Sequence, residues 1–245
     1  MKTYSENSTK TLFSKAHKDP CNHIEDIQER ISDSPSIEQL INRNANVWRG
    51  CDMADQLAHA QSTGYPEFDN ILPGKGWPQN GLVEIISSNW GMGELQLLIP
   101  LMRSIVQQSQ WILGVSPPHL LYAPALIQAG INISQVLIVG LDTSCKDALW
   151  VIEKALQTQN CGMVLTWQNW LPNKVLRRLQ LAAEAGNTLG VIFKHADNKN
   201  SPSRLRLQIR NSSPHNAVFN IVDITVIKAR GNSQPLTTKL KIYQN

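Results

Sequence analysis

Short unbroken apolar runs alternate along this chain with stretches whose apolar positions recur at helical spacing. Leu82–Ile86, Trp111–Val115, Val136–Val139, Gly162–Thr166 and Leu189–Phe193 read as strands. Between them, Glu94–Gln108 carries Leu95, Leu98, Leu101, Met102 and Ile105 on one helical face. Tyr122–Ala129, Asp147–Gln157 (Leu149, Ile152 and Leu156 inward) and Lys174–Ala185 follow as further helices. Strands that are apolar throughout, rather than alternately, fit a parallel sheet with helices on both faces. The rhythm then changes. Leu205–Ile209, Phe219–Ile227 and Thr237–Tyr243 read as strands with no helix between them. The fold class expected is α/β, a mainly parallel sheet flanked by helices with a short antiparallel C-terminal extension.

Ahead of this core the pattern is weak. Residues 1–36 are rich in Ser, Asn, Lys and Asp and read as a disordered tail. Residues 37–61 read as an N-terminal helix, starting near a Ser36 cap, and a linker. Ser62–Leu72 reads as a turn and a short helix with Phe68, Ile71 and Leu72 on one face, followed by the glycine-rich turn Gly74–Pro78. The core is thus expected over 62–200 and a basic β extension completing the sheet over 201–245.

Composition narrows the classes. The 42% hydrophobic and 17% charged fractions are those of a soluble globular domain. No apolar run reaches the length of a membrane span, and the lysine-bearing start lacks an apolar leader, so a cytoplasmic protein is expected. Cys21, Cys51, Cys145 and Cys161 form no paired motif, and Cys21 with His23 and His17 makes a poor metal set, so no metal and no cofactor are expected. The formal charge of +4 conceals an asymmetry. Residues 1–170 hold 11 Lys/Arg against 16 Asp/Glu, whereas 171–245 hold 12 against 3. A basic final third suits an anionic partner or a solvated surface.

The turn between the first strand and its helix is where phosphates bind in open α/β sheets. Here it reads Ser87-Ser88-Asn89-Trp90-Gly91-Met92-Gly93-Glu94-Leu95. Gly91 and Gly93 permit a tight nest, but Glu94 stands where a P-loop lysine belongs, and Leu95 lacks the hydroxyl that holds magnesium. Thr166 occupies the strand end where a metal-orienting acid is needed, and Pro117-Pro118-His119 supplies no carboxylate for a water. A degenerate nucleotide loop without catalysis is the expectation. Among the tryptophans, Trp77, Trp111 and Trp150 read as core. Trp167 and Trp170 are candidates for an exposed partner contact. Lys174, Arg177, Arg178, Arg204, Arg206 and Arg210 are candidates for phosphate contact with DNA.

Several blocks together resemble the ImuA family, SulA-like and RecA-like proteins of the bacterial DNA-damage response. They are Val47-Trp48-Arg49-Gly50, Leu72-Pro73-Gly74-Lys75-Gly76-Trp77-Pro78, Gly91-Met92-Gly93-Glu94-Leu95, Pro117-Pro118-His119, Asp147-Ala148-Leu149-Trp150 and Arg177-Arg178-Leu179-Gln180-Leu181-Ala182-Ala183. The resemblance implies a RecA-like P-loop-type core and a non-catalytic adaptor in SOS-induced translesion DNA synthesis. Its implied partners are an ImuB-like relative of Y-family polymerases, an error-prone DnaE-type polymerase, RecA and, weakly, DNA. The alternative is a SulA-like inhibitor that binds the tubulin-like division protein; SulA proteins usually lack the Val-Trp-Arg-Gly and Leu-Pro-Gly lead-in. An active recombinase ATPase ranks last, because Glu94, Leu95 and Thr166 oppose it.

Overall fold

The structure, a computed structural model, describes residues 39, 60–91, 93–169, 171–195, 200–212, 219–229 and 235–243. The chain divides into two compact units, Met1–Gly50 and Cys51–Asn245. In the first, Gln39 alone is described, in a helical conformation. The expected tail, the helix from Ser36 apart from Gln39, the Cys21–His23 pair and Trp170 lie outside the described residues.

The second unit is built on one eight-stranded sheet. In chain order come α1 (Pro66–Asp69), β1 (Gly81–Ser87), α2 (Ile99–Gln107), β2 (Trp111–Val115), α3 (Ala123–Gln128), β3 (Val136–Val139), α4 (Cys145–Leu156) and β4 (Cys161–Trp167). Then follow α5 (Asn173–Gly186), β5 (Leu189–Lys194), β6 (Leu205–Asn211), β7 (Phe219–Ala229) and β8 (Leu236–Tyr243). The spatial order is β3-β2-β4-β5-β1-β6-β7-β8. The first six are mutually parallel, and β7 and β8 are antiparallel. β6 therefore departs from the expected antiparallel extension. It lies parallel beside β1, with Glu84 opposite Arg206.

Side chains of successive strand residues go to opposite faces, and two cores result. Val83, Ile85, Met163, Leu165, Val191 and Leu207 meet α1 and α2 on one side. Leu82, Val164 and Ile192 meet α4 and α5 on the other. β1 is buried along its whole length, as its central place demands. Phe68 and Trp77, both fully buried, pack edge to face at 5.4 Å. Gln180 of α5 reaches back to accept the Leu82 N–H at 2.8 Å, which ties the helix to the sheet.

Three expectations change. Trp111 and Trp150 are 40% and 60% exposed rather than core. Trp111 opens β2 at its outer end, and Trp150 sits off the Ala148–Ile152–Leu156 stripe that α4 buries. Leu149 is half-buried beside that stripe. The helix expected from Glu94 starts later, with a 3-10 turn at Gln96–Leu98 before α2.

Candidate functional site

The loop leaving β1 ends in its own ligand. Gly91 (φ +81°) and Gly93 (φ +100°) take backbone conformations that other residues rarely adopt. The Gly91 N–H then donates to Glu94 Oε1 at 2.7 Å. Glu94 is 5% exposed, and its carboxylate is folded back onto the loop's own backbone. The Ser87 hydroxyl donates to Asn89 O at 2.7 Å. Trp90 lies against His195, ring centroids 3.8 Å apart, while His195 Nδ1 is 3.0 Å from Ser87 O and its N–H donates to Asn169 Oδ1. The ends of β1, β4 and β5 are in this way latched together. Leu95 is half-buried at the start of the 3-10 turn. Thr166 is 1% exposed, and its Oγ1 has no hydrogen-bond partner among the described residues.

Beside this loop lies a groove of about 470 Å³, walled by Trp90, Ile99, Leu121, Tyr122, Leu126 and Trp167, with Glu94 and Arg103 as its charged members. Arg103 donates twice to Ala129 O, at 2.9 and 2.7 Å, and so fixes α2 to the end of α3. Trp167 is half-buried and stacks on Phe193 at 4.6 Å, which makes it a groove wall rather than a free surface aromatic. The β2–α3 loop forms the lip. His119 is exposed there, Leu120 is 92% exposed and Tyr122 70%. Sequence reading noted His119 but passed over its apolar neighbours, because exposure cannot be read from a Leu-Leu-Tyr run.

The six candidate phosphate contacts do not form one surface. Arg206 is a correction: it is 2% exposed, and its guanidinium donates to Glu84 Oε2 at 2.9 Å inside the sheet. Arg204 pairs with Glu184 at 2.9 Å, and Arg178 with Glu153 at 3.1 Å. Lys174 and Arg177 are exposed on α5, and Arg210 is exposed at the far end of β6.

What the fold does assemble was missed. Glu84, in the middle of β1, receives Lys194 at 3.1 Å, Arg206, and the hydroxyls of Ser201 and Ser203. Burial pushes the Glu84 carboxyl up, but Ser201, Lys194 and Arg206 outweigh it and hold its pKa below the ordinary value. The signal was present: a glutamate inside an apolar run needs a buried cation. None of these groups opens to the groove, so the cluster clamps β5, β1 and β6 together with Ser201 and Ser203.

The family model for cell division inhibitor SulA matches residues 82–190, from β1 into β5. The SulA of Serratia proteamaculans is 33% identical over 117 residues, covering 47% of this chain and 69% of that protein. The SulA of Photorhabdus laumondii is 33% identical over 109 residues, covering 44% and 61%. A solved structure, SulA from Pseudomonas aeruginosa, aligns with 24% identity and a TM-score of 0.39, over 46% of this chain and 98% of that one. These sequence matches overturn the translesion-adaptor reading. With it go the ImuB-like, DnaE-type and RecA partners, and the weak DNA contact, whose cation set the burial of Arg206 and the ion pairs of Arg178 and Arg204 also take apart. The matches favour the division-inhibitor alternative.

Proposed function

The chain belongs to the SulA family of cell division inhibitors, and on that premise we propose that it acts by binding the tubulin-like division protein and halting its assembly. The observation that carries this reading is the groove beside Trp90 and Trp167 with its exposed Leu120–Tyr122 lip. Nearly all of the groove and the whole lip fall within the matched residues 82–190. A large exposed apolar group beside a concave apolar wall suits a protein partner, whose side chains fill the groove while the lip anchors outside it. Its role is a binder's. Cys161, the buried thiol nearest in chemistry to a nucleophile, is pushed up by burial to about 11.

The test has two parts. High-level expression is expected to make cells filamentous, and the purified protein to suppress polymerisation of its own organism's division protein in a light-scattering assay. The Leu120→Asp/Tyr122→Ala variant is expected to keep its melting temperature and lose both effects. Normal division at high expression of the unaltered protein, or full inhibition by the stable variant, overturns the reading.

Two structural readings accompany it as proposals. The RecA-like core over 62–200, with 201–245 as an extension, is supported by β1 lying between parallel β5 and β6, followed by a glycine-bearing loop and a helix. The retired nucleotide loop of Ser87, Gly91, Gly93, Glu94 and Leu95 is supported by the Glu94 carboxylate occupying the Gly91 N–H, the kind of donor a phosphate uses. Calorimetric titration with Mg-ATP is expected to show no binding heat; DNA-stimulated turnover refutes it. No helix among the described residues is long and apolar enough to cross a membrane. The cytoplasm is where the proposed partner is met.

A further inference from the structure

β6, β7 and β8 lie beyond the residues matched to the SulA family, and they add a surface of their own. One face of these strands, with Leu207, Ile209, Val222, Ile224, Leu240 and Ile242, is buried in the core beneath α1 and α2. The opposite face is on the side of α4 and α5, but those helices pack on β1, β2, β4 and β5. The register reads across this open face in rows. Arg210 stands opposite Asp223, and Asp223 opposite Lys239. Gln208 pairs with Thr225 and Thr225 with Thr237, the two threonine hydroxyls 3.0 Å apart. Lys241 follows Lys239 two residues on, about 7 Å along the strand.

The charge on this face is one-sided. Arg210, Lys239 and Lys241 are exposed, the Lys239 side chain to 73%. Among the described residues, Asp223 is the one carboxylate these three strands place there, 3.9 Å from Lys239 Nζ and hydrogen-bonded to the Ser212 hydroxyl. At the inner end Lys228 lies opposite Arg206 and donates to Ser201 O at 2.7 Å. Burial first and the Arg206 charge second hold the Lys228 pKa below its ordinary value, against the pull of Glu84. Positive potential is therefore in surplus along the whole face, and an anion laid on it relieves that surplus.

The geometry points to this open, basic face of β6–β8 as a docking surface for an acidic polypeptide segment, separate from the groove. The placement of Asp223 favours a protein over a nucleic acid. Asp223 stands between Arg210 and Lys239, where it breaks a continuous line of phosphates but leaves room for separate carboxylates. The Gln208–Thr225–Thr237 row supplies neutral donors and acceptors suited to a peptide backbone.

The experiment uses the full chain and a fluorescent peptide of alternating Glu and Ser, followed by anisotropy, with single- and double-stranded oligonucleotides as competitors. The unaltered protein is expected to bind the peptide in a salt-sensitive manner. Lys239→Glu/Lys241→Glu is expected to weaken binding by about tenfold or more, and Lys239→Gln/Lys241→Gln by an intermediate factor. Lys174→Glu/Arg177→Glu, an equal charge change on exposed α5, is expected to leave it within about twofold. Absence of peptide binding overturns the assignment, as does loss of binding in the α5 variant alone. It also fails if the Lys239/Lys241 variants, shown to melt normally, bind unchanged, or if an oligonucleotide binds more tightly than the peptide. Each result is distinguishable from failure of the division-inhibitor reading, which the groove variants test on other residues.

Discussion

Replacing Glu84 by glutamine isolates the worth of the buried cluster. The Glu84 side chain is fully buried and those of Lys194 and Arg206 are 2% exposed, so water cannot replace the lost charge. Removing one partner of such a group leaves uncompensated buried cations and costs about 3–5 kcal/mol. For a structured region of this size each kcal/mol lowers the melting temperature by roughly 2–4 °C, so a fall of about 6–20 °C is expected in thermal unfolding followed by circular dichroism. Glu184→Gln is the control: its pair with Arg204 is about one-third exposed and contributes under ~1 kcal/mol. The sign of the pH dependence follows from the lowered Glu84 pKa. The carboxylate's contribution is in place above the ordinary value of 4.5 and is lost as pH falls through the lower value in the folded protein. The stability gap between the unaltered protein and Glu84→Gln is therefore expected to narrow in acid. A loss at neutral pH no larger than that of Glu184→Gln, or a gap that stays constant as the pH falls past 4.5, refutes the argument.

Gly186→Ala is expected to destabilise by about 1–3 kcal/mol or more, seen in urea titration, because a Cβ there lies 2.1 Å from Leu156 O and drives α5 from the end of α4. Glu94→Ala strips the Gly91 N–H of its acceptor and is expected to cost about 1–3 kcal/mol in the same assay, with Glu94→Gln costing less because the amide oxygen still accepts. Native protein treated with a thiol reagent at pH 8 is expected to label exposed Cys145 and spare Cys161, as peptide mass mapping would show; Cys161, with its thiol raised to about 11, is expected to label after unfolding.

The layer plan was legible because a central parallel strand is largely apolar on both faces: β4 and β5 carry apolar runs, and β1 is one interrupted by Glu84. β6 was harder. Its residues alternate, Leu205, Leu207 and Ile209 inward against Arg206, Gln208 and Arg210, which is the pattern of a strand with one open face. That pattern fits a parallel partner as well as an antiparallel one, so its place beside β1 could not be read from it. The same ambiguity hid the cluster. Arg206 and Arg210 share one face of one strand, yet the first is buried against Glu84, while the second is exposed. Periodicity assigns a face, and only the long-range pairing of β1 with β6 decides whether that face is covered. The candidate groove suffered likewise, since Leu120, Leu121 and Tyr122 are adjacent in sequence but only the fold makes Leu121 a wall and its neighbours a lip. The loop at Glu94 was the opposite case. The residue types alone argued against phosphate chemistry, and the fold supplied the reason the carboxylate is tolerated: it binds its own backbone.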